Sequence, residues 1–169
     1  MNRDMTAGDM RKLLKELGAR LSARGVHGEI ILAGGAVMVL VVRSRASSQD
    51  IDSVFVHAGT EIREEASKMS RDLGLPAHWI NDHVRAFIDK QAPTQPLIWF
   101  PGLTVSMVTL EYMFYLKAMV DGPQDFKDLR ALCRRLGLRD ENEAYKVVAK
   151  FSSGALPGSA QLRLEELFT

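Results

Sequence analysis

The sequence predicts an α+β chain, an α/β half up to about Val108 followed by a C-terminal helical half. Three observations predict it. Helix-period and strand-like apolar segments alternate through the first half, and helix-period segments alone follow one another through the second. No linker-like composition separates the halves, so two subdomains, 1–108 and 109–169, are expected to pack together. The mix of 46% apolar and 25% charged residues is that of a globular chain, long enough to bury roughly 70% of its unfolded surface.

Each element has its own signal. Residues 6–24 read as a helix, with Thr6 as N-cap, Asp9 three residues on, and Met10, Leu13, Leu14, Leu17 and Leu21 forming one apolar stripe. Gly25 and Gly28 end it. The run EIILA, 29–33, reads as a short buried strand that leaves through Gly34-Gly35. Its successor, 36–42, is valine-rich like a strand, yet a helix is preferred because a double glycine makes a good strand-to-helix turn. A polar loop, 44–49, leads to a strand over 50–56, where Ile51 faces one way and Asp50 and Asp52 the other. Residues 60–73 form an amphipathic helix with Ile62, Ala66, Met69 and Leu73 on one face, stopped by Gly74 and Pro76. A short helix is expected over 79–87 and a loop over 89–95. Strands at 97–100 and 103–108 flank Pro101-Gly102 as a possible hairpin. Helices follow at 110–120, 126–136, 141–151 and 160–168.

Composition excludes several functions. With 22 Lys+Arg against 21 Asp+Glu, the net charge of +1 is not that of a histone-like or polybasic nucleic-acid binder. The single cysteine, Cys133, excludes an intramolecular disulfide and a Cys-based zinc cluster, and reads as core beside Leu129, Leu132 and Leu136. His27, His57, His78 and His83 lack zinc-ligand spacing. Trp79 and Trp99 read as packing anchors, with base stacking by Trp99 as the lesser alternative. No apolar run approaches the ~20 residues of a membrane span, and the charged N-terminal stretch resembles no signal segment, so no membrane and a cytoplasmic location are expected.

The most informative stretch is Leu32-Ala33-Gly34-Gly35-Ala36, followed by Asp50-Ile51-Asp52. Acids at i and i+2 on a strand share one face and repel unless a cation sits between them. Mg²⁺, a hard ion that also binds substrate phosphates, suits two carboxylates. A double glycine lets the backbone come close to a ligand, and a following helix start offers N–H donors to phosphate. The bland alternatives are a solvated acid pair and an ordinary turn.

These residues resemble the nucleotidyltransferase superfamily related to DNA polymerase beta, whose signature is a glycine turn at a strand end followed by D-x-D on the next strand. The chain is more closely similar to small bacterial members distantly related to abortive-infection nucleotidyltransferase toxins. The likeness rests on Ala33-Gly34-Gly35-Ala36, Arg45 through Asp52 with Val54-Phe55, Leu75-Pro76 before Trp79-Ile80-Asn81-Asp82, and Leu116-Lys117-Ala118 through Asp125-Phe126-Lys127-Asp128-Leu129. It implies a nucleotidyltransferase-like mixed β-sheet with flanking helices, and Mg²⁺ on Asp50 and Asp52.

Nucleoside-triphosphate phosphates would lie at Gly34 and Gly35. Ser47 or Ser48 would donate a hydroxyl to them, or cap the strand. Arg45 would contact phosphate, pair with a carboxylate, or stay solvated. Lys117 would neutralise charge at the active site, or snorkel to water from an otherwise apolar helix. Asp125 and Asp128 match acids of the family's final block, although Asp125 is also a candidate N-cap for a helix starting at Phe126.

The implied activity is Mg²⁺-dependent transfer of NMP from NTP to a hydroxyl of a protein, RNA or small molecule, with a cognate antitoxin as a further partner. Two departures set the alternative, a catalytically degenerate binding or antitoxin-like module. The strands at 97–100 and 103–108 carry no third acid, leaving Asp82, on an expected helix, as either a substitute acid or simply a cap or turn residue, and Gly122-Pro123 stand where members often carry an Arg and an acid.

Overall fold

A computed structural model describes residues 3–169, so Met1 and Asn2 of the N-terminal reading lie outside the described residues. The fold is α+β, with a mixed five-stranded sheet and, among the described residues, seven α-helices. It divides into two compact units, Met1–Val108 and Thr109–Thr169. No helix of the described residues is long and apolar enough to cross a membrane.

The first unit opens with β1 (Met5–Thr6) and α1 (Ala7–Ala23). Thr6 caps α1 through the expected box, its hydroxyl accepting from the Asp9 N–H at 3.2 Å while the Asp9 carboxylate accepts from the Thr6 N–H at 2.9 Å. Met10, Leu14, Leu17 and Leu21 are buried, each worth about 1.5–3 kcal/mol over an exposed position. Leu13 is only half-buried.

The central strand β2 (Gly28–Leu32) leads into α2 (Gly34–Val37) and a π-helical turn, Met38–Val42, so the helical reading of the valine run holds. Arg43 ends this run in the left-handed region, φ 61°. The polar loop contains β3 (Ser47–Ser48), which pairs antiparallel with β1. Sequence reading missed this, because two residues are too few for any periodicity.

Strand β4 (Ile51–His57) and α3 (Gly59–Leu73) follow. Ile62, Ala66 and Met69 are buried as expected, but Leu73 is half exposed at the last turn, and Glu65 is buried instead. Burial would raise the Glu65 pKa, yet hydrogen bonds from Lys68 and Arg24 outweigh it and hold the carboxylate below its ordinary value.

Residues 79–87 are helical only in their second half. Ile80–Asn81 form β5, parallel to Ile51–Asp52, and His83–Phe87 a 3₁₀ turn. Trp79 explains the difference. Its ring is fully buried and its Nε1 donates to the Ala66 carbonyl at 3.0 Å, while its own carbonyl accepts from the Ile51 N–H at 2.8 Å. Tertiary contacts thus select an extended chain.

Strands β6 (Thr94–Phe100) and β7 (Leu103–Val108) form the hairpin, complete with the Pro101-Gly102 turn. Trp99 is not a packing anchor: it is 66% exposed and stacks on His27 with ring centroids 6.3 Å apart. The sheet order is β5-β4-β2-β7-β6. Because β2 runs antiparallel to β4 and parallel to β7, the C-terminal ends of β2 and β7 and the start of β4 lie at one end of the sheet.

The second unit is helical: α4 (Leu110–Ala118), α5 (Pro123–Leu136), α6 (Glu141–Ala149) and α7 (Gly158–Glu166). Helix α5 starts three residues earlier than predicted, since Pro123 suits a first helical position, and Gly122 rather than Asp125 is its N-cap. Cys133 is buried with Leu129 and Leu132, and burial raises its thiol pKa. Arg163 is buried too; its Nε donates to the Ala118 carbonyl at 2.9 Å, satisfying the C-terminus of α4.

Candidate functional site at the glycine turn

The topology brings the two sequence motifs together. Leu32 pairs with Ser53, and the Ala33 N–H donates to the Asp52 carbonyl at 3.0 Å, so the exit of β2 lies against the entry of β4. Ile51 and Ser53 are buried while Asp50 and Asp52 remain partly exposed, as the strand alternation requires.

Gly34 sits at φ 61°, and a Cβ built there would lie 2.8 Å from Asp52 Oδ2. A Cβ on Gly35 would lie 2.7 Å from Ser48 Oγ and 3.2 Å from an Arg45 guanidinium nitrogen. Both glycines are therefore needed for close approach, and they bring backbone within a side chain's reach of a carboxylate, a hydroxyl and a cation. Five predicted residues, Gly34, Gly35, Arg45, Ser48 and Asp52, meet at this corner.

Asp50 joins them through a residue the sequence reading quoted without assigning a role. Asn81 is buried on β5 with its backbone beside Asp52, and its amide donates to Asp50 Oδ2 at 3.3 Å and to the His78 carbonyl at 3.2 Å. Its own carbonyl oxygen accepts from the His83 N–H at 3.2 Å, which fixes the amide's orientation. The signal for Asn81 was available only with β5 recognised as a strand.

The two serines separate. Ser48 is buried against Gly35, whereas the Ser47 hydroxyl donates to Asp4 Oδ2 at 3.4 Å beside the β1–β3 pairing. Asp82, the substitute third acid, is ion-paired with Arg63, whose guanidinium also lies 5.2 Å from the Phe55 ring centre. Among the described residues, no group of three or more His, Cys, Asp or Glu side chains is arranged to hold a metal ion.

Lys117, Asp125 and Asp128 meet one another within the second unit. The Lys117 ammonium lies 2.7 Å from Asp125 Oδ1 and 3.0 Å from Asp128 Oδ2, and Gln124 donates to the other Asp128 oxygen at 3.0 Å. Lys117 does not snorkel to water; its side chain is 12% exposed and ends on these two acids. With Asp128 only 1% exposed, the cluster has a structural task of its own.

Comparison with protein families, with characterised proteins and with solved structures returns no match for this chain.

Proposed function

We propose that the chain binds a nucleoside triphosphate with Mg²⁺ at the glycine turn and transfers the nucleotidyl group to a hydroxyl acceptor on a protein, RNA or small molecule. The observation that carries this reading is the approach of the Gly34-Gly35 backbone to Asp52, Ser48 and Arg45. Polyphosphate needs such a neighbourhood: close backbone, a guanidinium able to make paired hydrogen bonds, and carboxylates to share a cation.

The donor set fits Mg²⁺. Asp50 and Asp52 supply hard oxygens at i and i+2, and this ion ordinarily takes one or two carboxylates and completes its octahedron with water and substrate phosphate. When bound, the ion supplies charge neutralisation at the reacting phosphate. The chain's own residues do the rest. Asn81 orients Asp50, Gly34 and Gly35 leave room for the phosphates, and Arg45 and Ser48 offer donors to them. In the transfer, the acceptor oxygen bonds to the α-phosphorus and its proton passes to water. The bond from that phosphorus to the bridging oxygen breaks, and pyrophosphate leaves with the electron pair.

Incubation with labelled NTPs, Mg²⁺ and cell extract is expected to label an acceptor, and Asp50→Asn and Asp52→Asn to abolish it. Equal labelling by wild type and both variants defeats the enzymatic reading. A specific observation favours a second reading, a binding module without transfer: beside Asp52 the neighbouring strand presents Asn81, an amide that cannot accept a proton as a base. Mg²⁺-dependent NTP binding with no labelled product would select it.

A further inference from the structure

The outer face of α5 is polarised in a way that the net charge of +1 conceals. The helix has two acids, Asp125 and Asp128, and both turn to Lys117. Its four cations, Lys127, Arg130, Arg134 and Arg135, are all exposed. Lys127, Arg130 and Arg134 follow i, i+3, i+7 spacing and form one stripe, with Arg135 on its flank. Among the described residues, no carboxylate lies within ion-pair distance of any of the four. Arg130 is held over the Phe126 ring, 5.0 Å from its centre, which restrains it without neutralising it.

We infer that this face binds the phosphate backbone of a nucleic acid, independently of what the glycine turn does. The stripe from Lys127 to Arg134 spans about 10 Å at 1.5 Å per residue, and phosphates recur every ~3.4 Å of rise along a strand. A row of cations thus meets a row of anions. The face suits the other polyanions less well. An anionic bilayer takes up a helix by its apolar face, but here Leu129, Leu132 and Cys133 are buried in the protein. An acidic protein partner needs a desolvated apolar anchor, but Ala131, between Arg130 and Arg134, is too small to be one, and the Phe126 ring is half-buried beneath Arg130. Contacts of this kind position a backbone and read no base.

Fluorescence anisotropy of the full chain with a labelled oligouridine, and separately a DNA duplex, tests the assignment. Four phosphate contacts give a salt slope of about −3 on a single strand, a loss of about 50-fold in affinity between 50 and 200 mM salt. Combined Lys127→Gln, Arg130→Gln, Arg134→Gln and Arg135→Gln is expected to remove most of that affinity and flatten the slope. The pair Lys127→Gln/Arg134→Gln, with circular dichroism confirming its fold, is expected to halve the slope. Three results overturn the inference: no binding at the lowest salt, undiminished binding by a folded variant, or equal capture by phosphatidylserine vesicles or polyglutamate.

Discussion

Gly35→Ala separates ligand binding from folding more cleanly than any other single change at the glycine turn. Gly35 lies in α2 at a φ that alanine adopts freely, so the substitution gains about 0.8–1 kcal/mol of helix propensity. Against this, the new Cβ would stand 2.7 Å from Ser48 Oγ, and pushing a buried serine off its rotamer costs about 0.5–1.5 kcal/mol. The two effects nearly cancel, and stability is expected to change by less than ~1 kcal/mol. Nucleotide binding should not be spared. The methyl group fills the space where backbone would meet phosphate and crowds both Ser48 and Arg45, so at least a tenfold loss of Mg²⁺–nucleotide affinity, about 1.4 kcal/mol, is expected. Urea denaturation and titration with a fluorescent ATP analogue read the two quantities separately. If Gly35→Ala keeps full stability and binds nucleotide as tightly as wild type, the close approach serves packing alone and the phosphate assignment of the turn is wrong.

Other perturbations probe the rest of the molecule. Lys117→Met leaves the buried Asp128 without its cation and should cost about 3 kcal/mol in urea denaturation, partly recovered in Lys117→Met/Asp128→Asn. Gly102→Ala should destabilise by more than ~3 kcal/mol, since its Cβ would fall 1.9 Å from the Gly18 carbonyl oxygen at a φ of 85°. Glu65 governs part of the acid limb. Its folded pKa is lowered, so its stabilising contribution is present above the ordinary glutamate pKa of about 4.3 and is lost as pH falls through the lower folded value. Denaturation midpoints of Glu65→Gln should therefore lie below wild type at neutral pH and converge with it in acid. Parallel curves would remove Glu65 from that role.

Long-period features were legible in the sequence and short or cooperative ones were not. Helix α1 announced itself through Thr6, Asp9 and a buried stripe, because capping and periodicity are local properties. The meeting of Gly34-Gly35 with Asp52 was suggested by motif order, but its distances depend on β2 and β4 pairing antiparallel, which no local rule supplies. The three two-residue strands, β1, β3 and β5, escaped, since each is extended only by what it pairs with. Missing β5 hid Asn81. Asp82 was open as a substitute acid or as a cap or turn residue, and the chain gives its carboxylate to Arg63, a partner that no local pattern indicates. Glu65 and Arg163, charged residues inside packed helices, follow from partners distant in sequence.

The two acid pairs of this chain show why charge must be read locally. Asp125 and Asp128 share a helix face and are matched by Lys117, so their negative charge is spent on holding α4 to α5, and the burial of Asp128 is tolerable because that ammonium is present. Removing their charge from the outer surface leaves α5 basic outside and neutral within. Asp50 and Asp52 differ in kind: they flank the buried Ile51 at the rim of a sheet, with an orienting amide on one and a glycine turn pressed against the other. A Cβ in place of Gly34 would fall 2.8 Å from an oxygen of that carboxylate, so the close approach to Asp52 needs glycine, at a left-handed angle that glycine adopts freely. The helix pair is therefore the one to perturb for stability, and the partly exposed strand pair the one to perturb in testing the proposed chemistry.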